Sequence, residues 1–200
     1  MFSLIPNRAF RIACIGGSAG ATQIYSEILS NLRYDTGLAF VVVPHLGMHN
    51  PFGLVKLLAL ATQMSVLAIT DGLPLVANSI FVTPPGFHLR LDGARLFLSQ
   101  FVSRGWPTTL SCFLTSLADS HGPPSAAVIL SGLGNDGSSA LGAIKIAGGM
   151  TLAQLDPRWR GMPDCAVATG NIDFILNASG IAKALTNFAG QGRGPSTQRD

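Results

Sequence analysis

Apolar residues in this chain fall in short unbroken runs, and between the runs they recur at helical spacing. Arg11–Ile15, Ala39–Val43 and Ala126–Leu130 are the clearest runs. The second is β-branched and wholly apolar, as in a strand buried on both faces. Thr22–Leu32 places Ile24, Ile28, Leu29 and Leu32 on one helical face. Thr109–Ser120 does the same with Leu110, Phe113, Leu114 and Leu117, and Pro123-Pro124 closes it. Further strands are predicted at Ser65–Ala68, Ile80–Thr83, Met150–Ala153 and Ile172–Leu176. Further helices are predicted at Phe52–Ala61, Ser138–Ala147, Pro163–Ala168 and Gly180–Phe188. His88–Leu91 and Arg95–Ser99 alternate polar and apolar about Asp92-Gly93, which signals a hairpin. The βαβα rhythm predicts an α/β fold: a doubly wound, mostly parallel sheet with helices on both faces and an added antiparallel hairpin. Residues 11–188 form the domain, residues 1–10 an extended lead-in, and residues 189–200 a disordered tail.

Composition narrows the class. Two hundred residues with 48% hydrophobic and 12% charged positions suit one globular domain with a substantial core. The net charge of +3 comes from scattered basic residues, with only Arg158-Trp159-Arg160 clustered, so nucleic acid is not an expected partner. Cys14, Cys112 and Cys165 are far apart and form no CxxC pattern, so neither a zinc site nor a disulfide framework is expected. Cys14 and Cys112 lie in apolar segments and read as core residues. No signal-peptide pattern and no span long enough for a bilayer appear, and a reducing cytoplasm fits.

Candidate chemistry begins at the first turn. Gly16-Gly17-Ser18-Ala19-Gly20 follows the first strand, and Gly16-x-Ser18-x-Gly20 has nucleophile-elbow spacing. Two plainer readings compete: a serine N-cap and a phosphate cradle. The dinucleotide fingerprint fails, because its three glycine positions hold Gly16, Ser18 and Ala21. No Gly-Lys-Ser/Thr is present, which excludes a P-loop. Ligands of open parallel sheets bind beyond the carboxyl ends of strands. Ser18, His45 and Asp136 each follow such an end. A serine needs an imidazole to take its proton, and the imidazole needs a carboxylate to orient it. His45 also reads as a capped loop residue, and Asp136 as a turn residue capping its own following helix. His49 reads as a rim residue, and His88 and His121 as structural.

Three segments together resemble the catalytic domain of CheB-type chemotaxis methylesterases. They are Ile15-Gly16-Gly17-Ser18-Ala19-Gly20, Pro44-His45-Leu46 and Leu130-Ser131-Gly132-Leu133-Gly134-Asn135-Asp136-Gly137. Phe81–Gly86 with His88, and Arg160–Pro163, are similar to the family as well, and the likeness runs from Arg11 to Phe188. The resemblance implies a cytoplasmic, cofactor-free and metal-free serine hydrolase. Such an enzyme removes methyl groups from glutamate esters on chemoreceptor helices and deamidates glutamines there. It implies Ser18 as nucleophile, His45 as base and Asp136 as its orienting partner. Backbone N–H groups of Ala19 and Leu133 would hold the oxyanion. Implied partners are methylated chemoreceptor helices or a related signalling protein. Nothing before Arg11 could supply the family's receiver domain, so the chain is expected to be a stand-alone esterase, an excised domain or a piece of a larger signalling protein, with a separate receiver domain or kinase among the partners implied. No membrane insertion is implied.

Several positions depart from the family pattern. Ala19, Ala21 and Leu133 replace a hydroxyl residue, a glycine and a methionine. Arg104-Gly105-Trp106-Pro107 stands where a basic or histidine-proline motif is usual, and an aspartate shortly after that proline is missing. These changes bear on substrate recognition. Two other functions remain open: a catalytically impaired module that binds a signalling partner, and a small-ester hydrolase without a chemotaxis role.

Overall fold

A computed structural model describes residues 10–45, 51–101, 108–120 and 122–190. Nearly all of the expected lead-in, His49, the Arg104–Pro107 segment, His121 and nearly all of the expected tail lie outside the described residues. The chain opens with β1 (Ile12–Gly17), α1 (Ala21–Ser30), β2 (Ala39–Pro44), α2 (Pro51–Leu60) and β3 (Ser65–Ala68). It continues through β4 (Leu73–Pro74), β5 (Ser79–Val82), β6 (Phe87–Asp92), β7 (Arg95–Gln100) and α3 (Thr109–Asp119). It closes with β8 (Ala126–Ile129), α4 (Leu141–Ile146), β9 (Met150–Gln154), α5 (Gly161–Ala168), β10 (Phe174–Leu176) and α6 (Ala178–Gly190).

Seven strands form one sheet in the order β10-β9-β8-β1-β2-β5-β3. Every neighbouring pair in it is parallel. The order reverses direction at β1. The chain first builds outward through β2, then returns to add β8 on the other side. That reversal is the switch point at which open α/β sheets bind ligands.

The wholly apolar strands bury both faces, as their sequence requires. Ala13 and Ile15 of β1 join a cluster with Tyr25, Ile28, Leu58, Ile181 and Leu185, from α1, α2 and α6. Ile12 and Cys14 join a second cluster with Phe113, Leu114, Leu141, Met162 and Ala166, from α3, α4 and α5. Each such aliphatic or aromatic side chain contributes about 1.5–3 kcal/mol by leaving water. Alternation along a single strand thus places the two helical layers.

The expected hairpin is part of a separate three-stranded antiparallel sheet, in the order β4-β7-β6. Leu73 and Pro74 pair with Leu96 and Arg95, and this adds the third strand. The sheet docks on α3 through Leu89, Leu91 and Leu96. The Ser116 hydroxyl also accepts the Leu91 N–H at 3.0 Å.

Most boundaries differ from the sequence reading by a residue or two, and three differences are informative. β1 continues through Gly16 and Gly17, which pair with Val43 and Pro44 of β2. Their lack of a side chain serves close approach. A Cβ on Gly16 would lie 2.1 Å from Leu110 Cδ2, and one on Gly17 2.6 Å from Ala21 Cβ. The predicted helix at Ser138–Ala147 is a 3-10 turn, Ser138–Ala140, followed by α4. Ala189 and Gly190, read as the start of the tail, are helical. Among the described residues no helix is long and apolar enough to cross a membrane.

Candidate active site

The turn after β1 is held from outside. The Ser18 N–H donates to Ser131 O at 2.8 Å, which ties the turn to the loop following β8. Gly20 takes φ 79° at the N-cap of α1, a left-handed conformation that favours glycine. The helix has no side-chain cap bond, so Ser18 is not spent as its N-cap. Ser18 is half-buried. A Cβ on Gly132 would fall 2.8 Å from Ser18 Cβ and 2.4 Å from Met162 Sδ. The loop backbone therefore lies directly against the serine.

His45 sits on the other side of β1. Its N–H donates to Gly17 O at 2.8 Å, extending the β1–β2 ladder one residue past Pro44. The Tyr25 hydroxyl donates to the same carbonyl at 3.1 Å. Burial, with the neighbouring Cys14 a smaller cause, pushes that phenol's pKa upward, so it stays protonated. His45 is only 4% exposed. Its Nε2 stands 3.8 Å from Asp136 Oδ2, within ion-pair range but beyond hydrogen-bond length.

Asp136 is only 5% exposed, and its carboxylate is hydrogen-bonded throughout. Oδ2 accepts the Leu110 N–H at 3.0 Å. Oδ1 accepts the Ser111 N–H at 2.9 Å and the Ser111 hydroxyl at 2.8 Å. These donors form the first turn of α3, where unsatisfied N–H groups and the positive end of the helix dipole favour an anion. This rules out the plainer alternative, a cap for its own following helix. Gly137 occupies that N-cap, and Asp136 instead serves a helix 25 residues earlier in the chain.

The thiols also separate. Burial, and secondarily the charge of Asp136, push the Cys14 pKa well up, so this core thiol stays protonated and inert. Cys112 is exposed, contrary to its reading as a core residue, because it lies off the apolar stripe of α3. Cys165 is exposed as well. Among the described residues no group of three or more His, Cys, Asp or Glu side chains is placed to hold a metal ion.

The loop after β8 is fixed by a network that periodicity does not reveal. Ser131 N–H donates to the buried Gln154 Oε1 at 2.8 Å. Ser131 Oγ donates to Ala19 O at 2.8 Å and accepts the Trp159 N–H at 3.0 Å. Gly132 N–H donates to Trp159 O at 3.0 Å, and Met162 N–H to Gly132 O at 2.9 Å. Leu133, next in the loop, is 48% exposed. Ser131 and Gln154, polar residues at the ends of apolar runs, carried a signal. Ser111 carried none. Two openings flank the region. One, of about 370 Å³, borders Gly20, Gln154 and Arg158. The other, of about 810 Å³, runs between α3 and the antiparallel sheet and reaches Ser111.

All three predicted side chains thus stand at the carboxyl ends of the adjacent strands β8, β1 and β2. His45 and Asp136 face each other, and Ser18 stands at the switch point against the loop after β8. The model of the family described as CheB methylesterase matches residues 13–185. A protein-glutamate methylesterase/protein-glutamine glutaminase of Anaeromyxobacter dehalogenans is 30% identical over 92% of this chain and 56% of its own length. An uncharacterized 104.1 kDa protein of Rhodobacter capsulatus is 36% identical over 68% of this chain and 14% of its own. The chain therefore spans about half, or less, of the curated relatives it matches. The crystal structure of the Thermotoga maritima CheB methylesterase catalytic domain superposes with a TM-score of 0.80 at 25% identity, covering 90% of this chain and 98% of that one. The family model covers most of the chain and the fold agrees, and the chain belongs to the CheB methylesterase family.

Proposed function

We propose that the chain hydrolyses glutamyl methyl esters, and the matching glutamine amides, on the cytoplasmic helices of chemoreceptors. The observation that carries this reading is the buried pair His45–Asp136 beside the strand end that presents Ser18. Relatives named protein-glutamate methylesterase/protein-glutamine glutaminase support it. In this reading Ser18 Oγ attacks the ester carbonyl carbon while its proton passes to His45. Asp136 holds the imidazole in place and stabilises the imidazolium as it forms. The carbonyl π electrons move to oxygen, and the N–H groups of Ala19 and Leu133 hold that oxyanion. Donors of this kind contribute roughly 2.7–4 kcal/mol each to lowering the barrier. Collapse expels the methoxy group, which leaves as methanol with the proton from His45. Water then gives a proton to His45 and attacks the acyl carbon, releasing the glutamate and restoring Ser18. With an amide substrate, ammonia leaves instead of methanol. A receiver domain or kinase is the expected regulator, and the cytoplasm the expected location.

The test is methanol release from methylated receptor by the wild-type chain and by Ser18→Ala. The variant is expected to lose about 10⁶-fold in kcat. Equal release by both proteins would remove Ser18 from the chemistry. Turnover of a small chromogenic ester with no release from any receptor would favour the small-ester hydrolase.

A further inference from the structure

The geometry points to Ser111, on α3, as a positioning residue that aims the Asp136 carboxylate at His45. The inference rests on the hydrolase reading and extends it to a residue outside the serine, histidine and aspartate. Ser111 holds Asp136 Oδ1 twice, through its N–H at 2.9 Å and its hydroxyl at 2.8 Å. The same hydroxyl oxygen accepts the Gly137 N–H at 2.8 Å and the Ser139 hydroxyl at 3.3 Å. One side chain therefore grips both the carboxylate and the peptide that follows it. A carboxylate fastened twice at Oδ1 cannot swing about its terminal torsion. Its other oxygen, Oδ2, is the one that stands 3.8 Å from His45 Nε2.

A capping role alone does not account for this. Thr108, not Ser111, is the N-cap of α3, and the first-turn N–H groups of Leu110 and Ser111 would satisfy Asp136 without any hydroxyl. The hydroxyl adds a bond to a charged group, the kind that contributes most. It also completes a contact between segments 25 residues apart. Ser111 borders the opening of about 810 Å³ beside α3, so an added methyl group there has space.

The experiment compares wild type, Ser111→Ala, Ser111→Thr and Ser18→Ala. Each is assayed for kcat and KM, and for thermal unfolding. Ser111→Ala is expected to lower kcat roughly ten- to a hundred-fold with KM and Tm little changed. Ser111→Thr is expected to restore the rate. If Ser111→Ala keeps the wild-type rate while Ser18→Ala is inactive, the positioning role is wrong and the hydrolase reading stands. Loss in both Ser111 variants with a lower Tm would reduce Ser111 to a structural residue and overturn the inference. Full activity in Ser18→Ala would instead overturn the hydrolase reading itself.

Discussion

Two carboxylates in this protein are held by the same local device and end in different surroundings. At the switch point, Asp136 receives the N–H and the hydroxyl of Ser111 on one oxygen. At the far edge of the sheet, Asp173 receives the N–H of Thr151 at 2.9 Å, with the Thr151 hydroxyl 3.0 Å from the same oxygen. The third partner separates them. Asp136 faces a buried histidine, and Asp173 faces the partly exposed ammonium of Lys145. Burial raises the pKa of Asp173, but the bonds from Lys145 and Thr151 outweigh it and hold the carboxyl below its usual range. The pair teaches that a carboxylate bound by one hydroxyl residue is a fastening device. In the proposed function, chemistry arises only where burial excludes water and the remaining oxygen faces a group that exchanges protons.

The sharpest way to break that comparison is to neutralise each carboxylate. Asp136→Asn is expected to lower kcat by about 10⁴-fold, because the imidazole loses the charge that stabilises its protonated form. Asp173→Asn should leave kcat unchanged and lower stability by about 1 kcal/mol, since solvent screens an exposed pair. The sign follows from the lowered carboxyl. Its contribution is complete above the usual carboxylate range, near pH 4, and is lost as pH falls through the lower folded-state value. The Tm difference between wild type and Asp173→Asn should therefore close in acid. A difference that persists unchanged at pH 2 would refute the ion-pair account.

Adding a methyl group sharpens the contrast with smaller effects. Gly132→Ala drives a Cβ against Ser18 and Met162, and displacement of the serine by about an ångström costs about a hundred-fold in rate. Overpacking there should also lower stability by about 1–3 kcal/mol. Gly142→Ala, in α4 on the Asp173 side, meets only Asn171 at an ordinary 3.6 Å. It should leave activity intact and raise stability by about 0.5–1 kcal/mol, through helix propensity alone. Assay and thermal melts of the two variants side by side would expose any equivalence between these regions.

Much of this was legible in the chain, because the strands are apolar on both faces and the helices on one. Ser65–Ala68 has the predicted bounds, and most other elements lie within a residue or two of them. The errors share a cause. Gly16 and Gly17 read as turn residues because glycine breaks strands, yet they are strand because Leu110 and Ala21 press on them. Cys112 read as core from its apolar surroundings, although the stripe Leu110, Phe113, Leu114 and Leu117 leaves it outside. The plainer alternative for Asp136, a local cap suggested by the turn sequence Asn135-Asp136-Gly137, fails in the same way, because its donors lie on α3. Each decision was made by a neighbour distant in the chain.

The sequence alone determined the alternation of strands and helices, the glycine turn that presents Ser18, and the placing of Ser18, His45 and Asp136 at strand ends. Those are consequences of local rules, namely side-chain period, backbone freedom and the burial of apolar runs. Only the tertiary structure decided that β8 returns beside β1, that α3 opens against Asp136, and that Ser111 fastens it. Such contacts join segments far apart in sequence, and their energies depend on register and approach, which no window of neighbouring residues encodes.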